Sequence, residues 1–159
     1  MLDHIEPAST LYGKTQERFT QFGELYASAL RTLGVDARVG EIPGEYCPGE
    51  FSVNAAGRIK VIGTAQRVTN KGWLFSSSVI VTDPQPIRAC LTEVEAALGV
   101  EWDPQTGGAL SELHPGITVE DVKNAFLAAY ATEWDLHETA LTSEVVEASR
   151  AYDERHRLE

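Results

Sequence analysis

The sequence predicts an α+β fold: an antiparallel β meander flanked by helices. Three observations carry this. Apolar residues recur at helical spacing between Lys14 and Leu33. Between Phe51 and Val81 the period falls to two and glycine turns separate the runs. Beyond Asp83-Pro84 the helical spacing returns. Helix, then sheet, then helices is a segregated arrangement rather than an alternating one.

Taken in order, the first dozen residues are mixed, with Pro7 and Gly13 as breaks. Phe19, Phe22, Tyr26, Leu30 and Leu33 then mark one helix face, which Gly34 closes. Thr15 with Arg18 is a weak start signal, and Gly23 lowers the helix propensity. Ala37 to Glu41 reads as a short strand, followed by a loop from Ile42 to Glu50 with two prolines and two glycines. Phe51 to Asn54 alternates like a half-buried strand, and Ala55-Ala56-Gly57 is a hairpin turn. Strands follow over Ile59–Val68 and Trp73–Val81, joined by Asn70-Lys71-Gly72. Ile87, Cys90, Leu91, Val94 and Leu98 form a second helical stripe ending at Gly99, which places Cys90 in the core as a small apolar residue. Thr118 and Asp121 make a capping box for a third helix, whose face is Val119, Val122, Phe126 and Tyr130. From Thr142 to Arg157 the chain is helical in propensity but polar, and Leu158-Glu159 reads as a vector-derived end.

At 159 residues the chain can bury a core without a disulfide or metal staple. Its formal charge of −11, from 24 acidic and 13 basic residues, argues against nucleic acid and anionic membranes as partners, since both require a basic face. No apolar run approaches the roughly 18 residues of a membrane span, and Met1 to Pro7 lacks the features of a secretory signal. Two cysteines make no disulfide framework, so a cytoplasmic location is expected. His4, His114, His137 and His156 lack metal-ligand spacing, Gly107-Gly108 reads as a turn, and Trp73, Trp102 and Trp134 read as core or cap residues.

The chemistry is concentrated between Gly44 and Ser78. Lys60 stands in the apolar run Ile59, Val61, Ile62, where an ammonium is costly unless it is paired or faces a polar cleft. Gly63 and Ala65 beside it lack bulk and admit a ligand or another backbone. An edge lysine reaching water, with small residues under a helix, accounts for the same pattern. Arg67 and Gln66 either orient a ligand or face outward.

Gly57-Arg58-Ile59-Lys60-Val61-Ile62-Gly63-Thr64-Ala65-Gln66-Arg67 resembles the glycine-lysine-glycine-alanine signature of the lipoate/octanoate protein ligases and octanoyltransferases, within the biotin/lipoate ligase superfamily. The resemblance runs from about Arg38 to Val81. It implies part of a biotin/lipoate ligase catalytic domain over residues 1–130, with 131–159 as a polar helical tail. It implies that Lys60 contacts an acyl carbonyl or an acyl-adenylate phosphate and stabilises developing charge. It also implies a nucleophilic role for Cys47, which would carry the acyl chain as a thioester and pass it to a lysine of a lipoyl-carrier domain; a nearby cation such as Lys60 would favour its thiolate. A half-buried loop cysteine is the alternative for Cys47. Ser52, Asn54, Gly63, Thr64, Ala65 and Gln66 are the expected substrate-binding positions, with no metal site.

Departures from the family pattern shape the expectation. Phe51-Ser52-Val53 stands where the ATP-using ligases carry an Asn-Asp pair near magnesium, and Phe75-Ser76-Ser77-Ser78 stands where His and Gly are usual. Transfer through Cys47, which needs no cofactor, is therefore favoured over an ATP- and Mg-dependent ligase; lipoate or octanoate is the substrate group in both. The N-terminal arginine- and glycine-rich motif has no match, and Met1-Leu2-Asp3-His4 resembles the end of a strand that would follow it. The chain thus resembles the C-terminal part of such an enzyme. This implies a homo-oligomer or a second chain completing the sheet, a lipoyl-carrier domain or acyl-carrier protein as partner, and, as a third reading, a non-catalytic fragment or subunit.

Overall fold

The computed structural model describes residues 1–7 and 14–157; the break expected at Gly13 and the terminal Leu158-Glu159 lie outside them. Strand β1 (Leu2–Pro7) precedes helix α1 (Thr15–Thr32), and four strands follow: β2 (Ala37–Val39), β3 (Val53–Ala55), β4 (Ile59–Val68) and β5 (Gly72–Val79). Helices α2 (Gln85–Leu98), α3 (Val119–Tyr130), α4 (Ser143–Arg150) and α5 (Asp153–His156) come after the sheet, with 3-10 turns at Pro104–Thr106 and Leu110–Glu112. The five strands form one antiparallel sheet in the order β1-β5-β4-β3-β2. The α+β architecture expected from the sequence is the one found.

The core lies between the sheet and the pair α1 and α3. Phe22, Tyr26 and Leu30 of α1 are fully buried, and Phe22 stacks on Phe75 of β5 at 4.6 Å. Tyr26 stacks on Phe126 of α3 at 5.0 Å, and the Tyr26 and Tyr130 hydroxyls meet at 3.1 Å. The α3 capping box is present: Thr118 Oγ1 accepts from Asp121 N–H, and Asp121 Oδ2 accepts from Thr118 N–H. The hairpin turn is also present, with Ala56 and Gly57 both at positive φ, 56° and 66°.

Five elements differ from the expectation, one of them the strand expected over Trp73–Val81, which runs from Gly72 to Val79. The first segment, mixed by its pattern and marked as a strand end only over residues 1–4 by the resemblance, is a strand that runs on to Pro7. Its pattern is weak because polar residues take inward positions, with Leu2, His4 and Glu6 half-buried and Asp3, Ile5 and Pro7 exposed. His4 sits among Phe22, Trp73, Tyr130 and Trp134, with ring centroids 4.8 to 5.9 Å away. The strand expected over Ala37–Glu41 stops at Val39, before Gly40 at φ 135°. The strand expected from Phe51 begins at Val53, since Phe51 lies in a turn. Cys90 is exposed rather than in the core, because α2 lies on the surface: its stripe leaves Ile87 and Leu91 half-buried and Val94 and Leu98 exposed. Helical periodicity identifies a face but not the surface that would cover it.

Candidate active-site cleft

Two segments make the site: the loop from Ile42 to Ser52 and the first half of β4. The loop turns on Gly44, at φ 80°, where Asp103 N–H donates to the Gly44 carbonyl at 2.8 Å. At its centre is the Glu45 carboxylate, whose side chain is completely buried. Glu45 Oε2 accepts from the Ile42 N–H at 3.2 Å, and Oε1 accepts from the Gly49 N–H at 3.0 Å and Ser52 Oγ at 2.8 Å. A buried carboxylate needs such donors, and here they come from the loop it closes.

Lys60 meets this carboxylate from β4. It is 4% exposed, and its ammonium donates to Glu45 Oε1 at 3.4 Å, the Tyr46 carbonyl at 3.1 Å and the Cys47 carbonyl at 2.8 Å. The Tyr46 ring lies under the ammonium, 4.6 Å from Nζ. Burial pushes the Tyr46 phenol up to about 12, and the neighbouring Glu45 and Cys47 act in the same direction. Trp102 holds the other side of Tyr46, edge to face at 5.9 Å, and Gly107 lets that indole approach: a Cβ there would stand 3.0 Å from Trp102 Cζ3.

Cys47 is exposed and has φ 42°. This left-handed conformation is uncommon for a side-chain-bearing residue and persists where surrounding structure enforces it. The bond from Lys60 to the Cys47 carbonyl is one such restraint. Lys60 therefore meets Cys47 at its backbone oxygen.

A cleft of about 430 Å³ opens beside these residues, within the range of small-molecule sites. Cys47, Ser52, Lys60, Gly63, Thr64 and Ala65 line it, between apolar walls that include Phe19, Phe51, Ile80 and Ile87. Ser52 spends its hydroxyl proton on Glu45. Asn54 and Gln66 are not on the lining. Asn54 Nδ2 donates to the Gly40 carbonyl at 2.9 Å, and its Oδ1 accepts from the Gly57 N–H at 2.9 Å. Gln66 Nε2 donates to the Thr15 carbonyl at 2.8 Å, and its Oε1 accepts from Arg18 at 3.1 Å, tying β4 to the start of α1. Glu45 and Tyr46 were not singled out from the sequence; the signal was an acid inside an apolar, proline-rich loop ahead of a buried lysine.

The sheet order and its flanking helices define an α+β class of fold that solved structures share. The chain has the fold of the lipoate-protein ligases. It superposes on lipoate-protein ligase A bound with ATP with a TM-score of 0.74 and 17% identity, over 96% of this chain and 60% of that one. It also superposes on a bi-partite lipoate protein ligase from Thermoplasma acidophilum, described with its E2 lipoyl domain, with a TM-score of 0.69 and 17% identity, over 96% of this chain and 58% of that one. The chain thus spans about 60% of the length of these structures. No family profile matches the sequence, and no curated protein matches it. Among the described residues no helix is long and apolar enough to cross a membrane.

Proposed function

We propose that this chain handles octanoyl or lipoyl groups by transfer, through a thioester on Cys47, to a lysine of a lipoyl-carrier domain. The observation that carries this reading is the cleft itself, which joins an exposed cysteine in an enforced left-handed turn to a buried lysine and an apolar wall. In the first step the Cys47 thiolate attacks the carbonyl of an acyl thioester, such as that of an acyl-carrier protein. The C–S bond to the donor breaks, and the donor leaves as a thiol after taking a proton. In the second step the neutral amine of the carrier lysine attacks the Cys47 thioester. An amide forms, the C–S bond breaks, and the amine's proton returns to Cys47. Lys60 stabilises the oxyanion of each tetrahedral intermediate. The neighbour described with its lipoyl domain supports a carrier of that kind as the partner.

The ATP-dependent alternative draws support from the neighbour bound with ATP. The described residues do not fit a magnesium nucleotide. Lys60 is the one cationic side chain on the lining, and its charge is already paired with Glu45, while the other charged side chain there is Glu50. No step is therefore derived through ATP. An exposed edge at β1, with Ile5 73% exposed, supports association with a second copy or another chain, which light scattering tests.

The deciding experiment is intact-mass analysis after incubation with octanoyl-acyl carrier protein, run for the wild type, Cys47→Ser and Cys90→Ser; the last is needed because Cys90 is also exposed. A hydroxylamine-sensitive octanoyl adduct that survives Cys90→Ser and disappears in Cys47→Ser is expected. Release of pyrophosphate from ATP with lipoate, and no adduct, would establish the ligase instead.

A further inference from the structure

Glu45 does more than close its loop. Its carboxylate and the Lys60 ammonium form a buried ion pair, 3% and 4% exposed, of which Lys60 lines the cleft. An ammonium has three donors, and Lys60 has spent all three, on Glu45 Oε1, the Tyr46 carbonyl and the Cys47 carbonyl. Glu50 adds a second carboxylate on the lining. Among the described residues, the one cationic side chain on the lining is thus already paired before any ligand arrives.

We propose that Glu45 is a positioning residue that sets which ligand charge the cleft accepts. By holding Lys60 as half of an ion pair, it makes the cleft select a neutral acyl carbonyl over an acyl carboxylate. This rests on the acyl-transfer reading above. A carboxylate ligand would have to compete with Glu45 for Lys60 in a cleft that Glu50 also lines, so its binding is opposed. A thioester or amide carbonyl brings no charge and needs a single donor. Lys60 can supply it by giving up its longest contact, that to Glu45 at 3.4 Å. Glu45 is not then left unpaired, because the Ile42 and Gly49 N–H groups and the Ser52 hydroxyl still hold it. The arrangement admits the acyl donor and turns away the free acid formed when that donor hydrolyses.

The test measures octanoate and octanamide binding by isothermal titration calorimetry at pH 7 and compares their affinity ratio. The wild type should prefer octanamide. Glu45→Gln should shift the ratio toward octanoate by about tenfold or more, the scale of removing one charge close to another. Lys60→Met should shift it the other way. The double variant, Glu45→Gln with Lys60→Met, should return close to the wild-type ratio, because the pair contributes no net charge. If Glu45→Gln does not fold, the difference between Lys60→Met and the double variant decides the matter. Equal ratios across the folded variants, with both affinities falling together, would mean that Glu45 only holds the loop, and would overturn the proposal while leaving the acyl site standing. Failure of the wild type to bind either ligand would overturn both.

Discussion

Lys60 is the residue on which the site turns, and its environment sets two measurable expectations. Lys60→Met removes the ammonium but leaves Glu45 buried with no counter-charge, a change that costs about 3–5 kcal/mol when one partner of a buried pair is lost. Chemical denaturation should show that loss, and at temperatures where the variant is folded acyl transfer should slow by about 10²–10³, as for removal of an oxyanion donor. Tyr46 sets the second. Its phenol is held at about 12 in the fold, against about 10 when unfolded, chiefly by burial. Because the folded value is the higher one, the folded chain holds the proton longer. The associated stability is complete below pH 10 and is lost as pH rises toward 12. The denaturant midpoint should fall across that window, together with a Tyr46 absorbance change that Tyr46→Phe removes. Burial also raises the phenols of Tyr26 and Tyr130, which adds to the decline in the same direction. Of these features, the need for a partner at Lys60 was legible from its apolar neighbours. The partner itself was not, since no local spacing rule joins an acid in an irregular loop to a lysine on a later strand.

At the scale of elements, β1 is the test of how the sheet is closed. Gly72 opens β5 opposite Pro7, and a Cβ placed there would stand 2.5 Å from the Glu6 carbonyl oxygen. Gly72→Ala should therefore push β1 off the sheet. It should cost about 1–3 kcal/mol, as overpacking does, and hydrogen exchange should quicken at the β1 amides while β3 and β4 keep their protection. The helices α1 and α3 and the strand β4 were legible because apolar residues occupy their inward positions, and α3 also has its capping box. The pattern alone did not show β1, which only the resemblance marked at residues 1–4, because His4 and Glu6 take inward places and an aromatic cage supplied by α1, β5 and the end of α3 surrounds the imidazole. α2 misled in the opposite sense: its stripe is apolar, yet Val94 and Leu98 are 45% and 68% exposed.

For the whole molecule, the packing after α3 sets an expectation for truncation. Trp134 follows α3 and lies parallel to Phe22 at 6.0 Å, while α4 buries nothing. A chain ending at Asp135 should melt within a few degrees of the full-length protein. One ending at Tyr130 loses the indole and should be less stable by about 3–5 kcal/mol, the usual cost of deleting a packed tryptophan; differential scanning calorimetry distinguishes the two. The order of strands has a consequence in time as well as in space. Leu2 is paired with Ser77, so the earliest segment of this sheet to leave the ribosome is the one whose neighbour is made last among the strands. During synthesis at roughly 5–20 residues per second, β1 waits several seconds for the strand that will hold it, and any peptide fused ahead of Met1 waits beside it. Nascent chains stalled before and after residue 79 should therefore differ in protease access to β1, and a bulky N-terminal fusion should lower the yield of folded protein more than the same fusion at the other end.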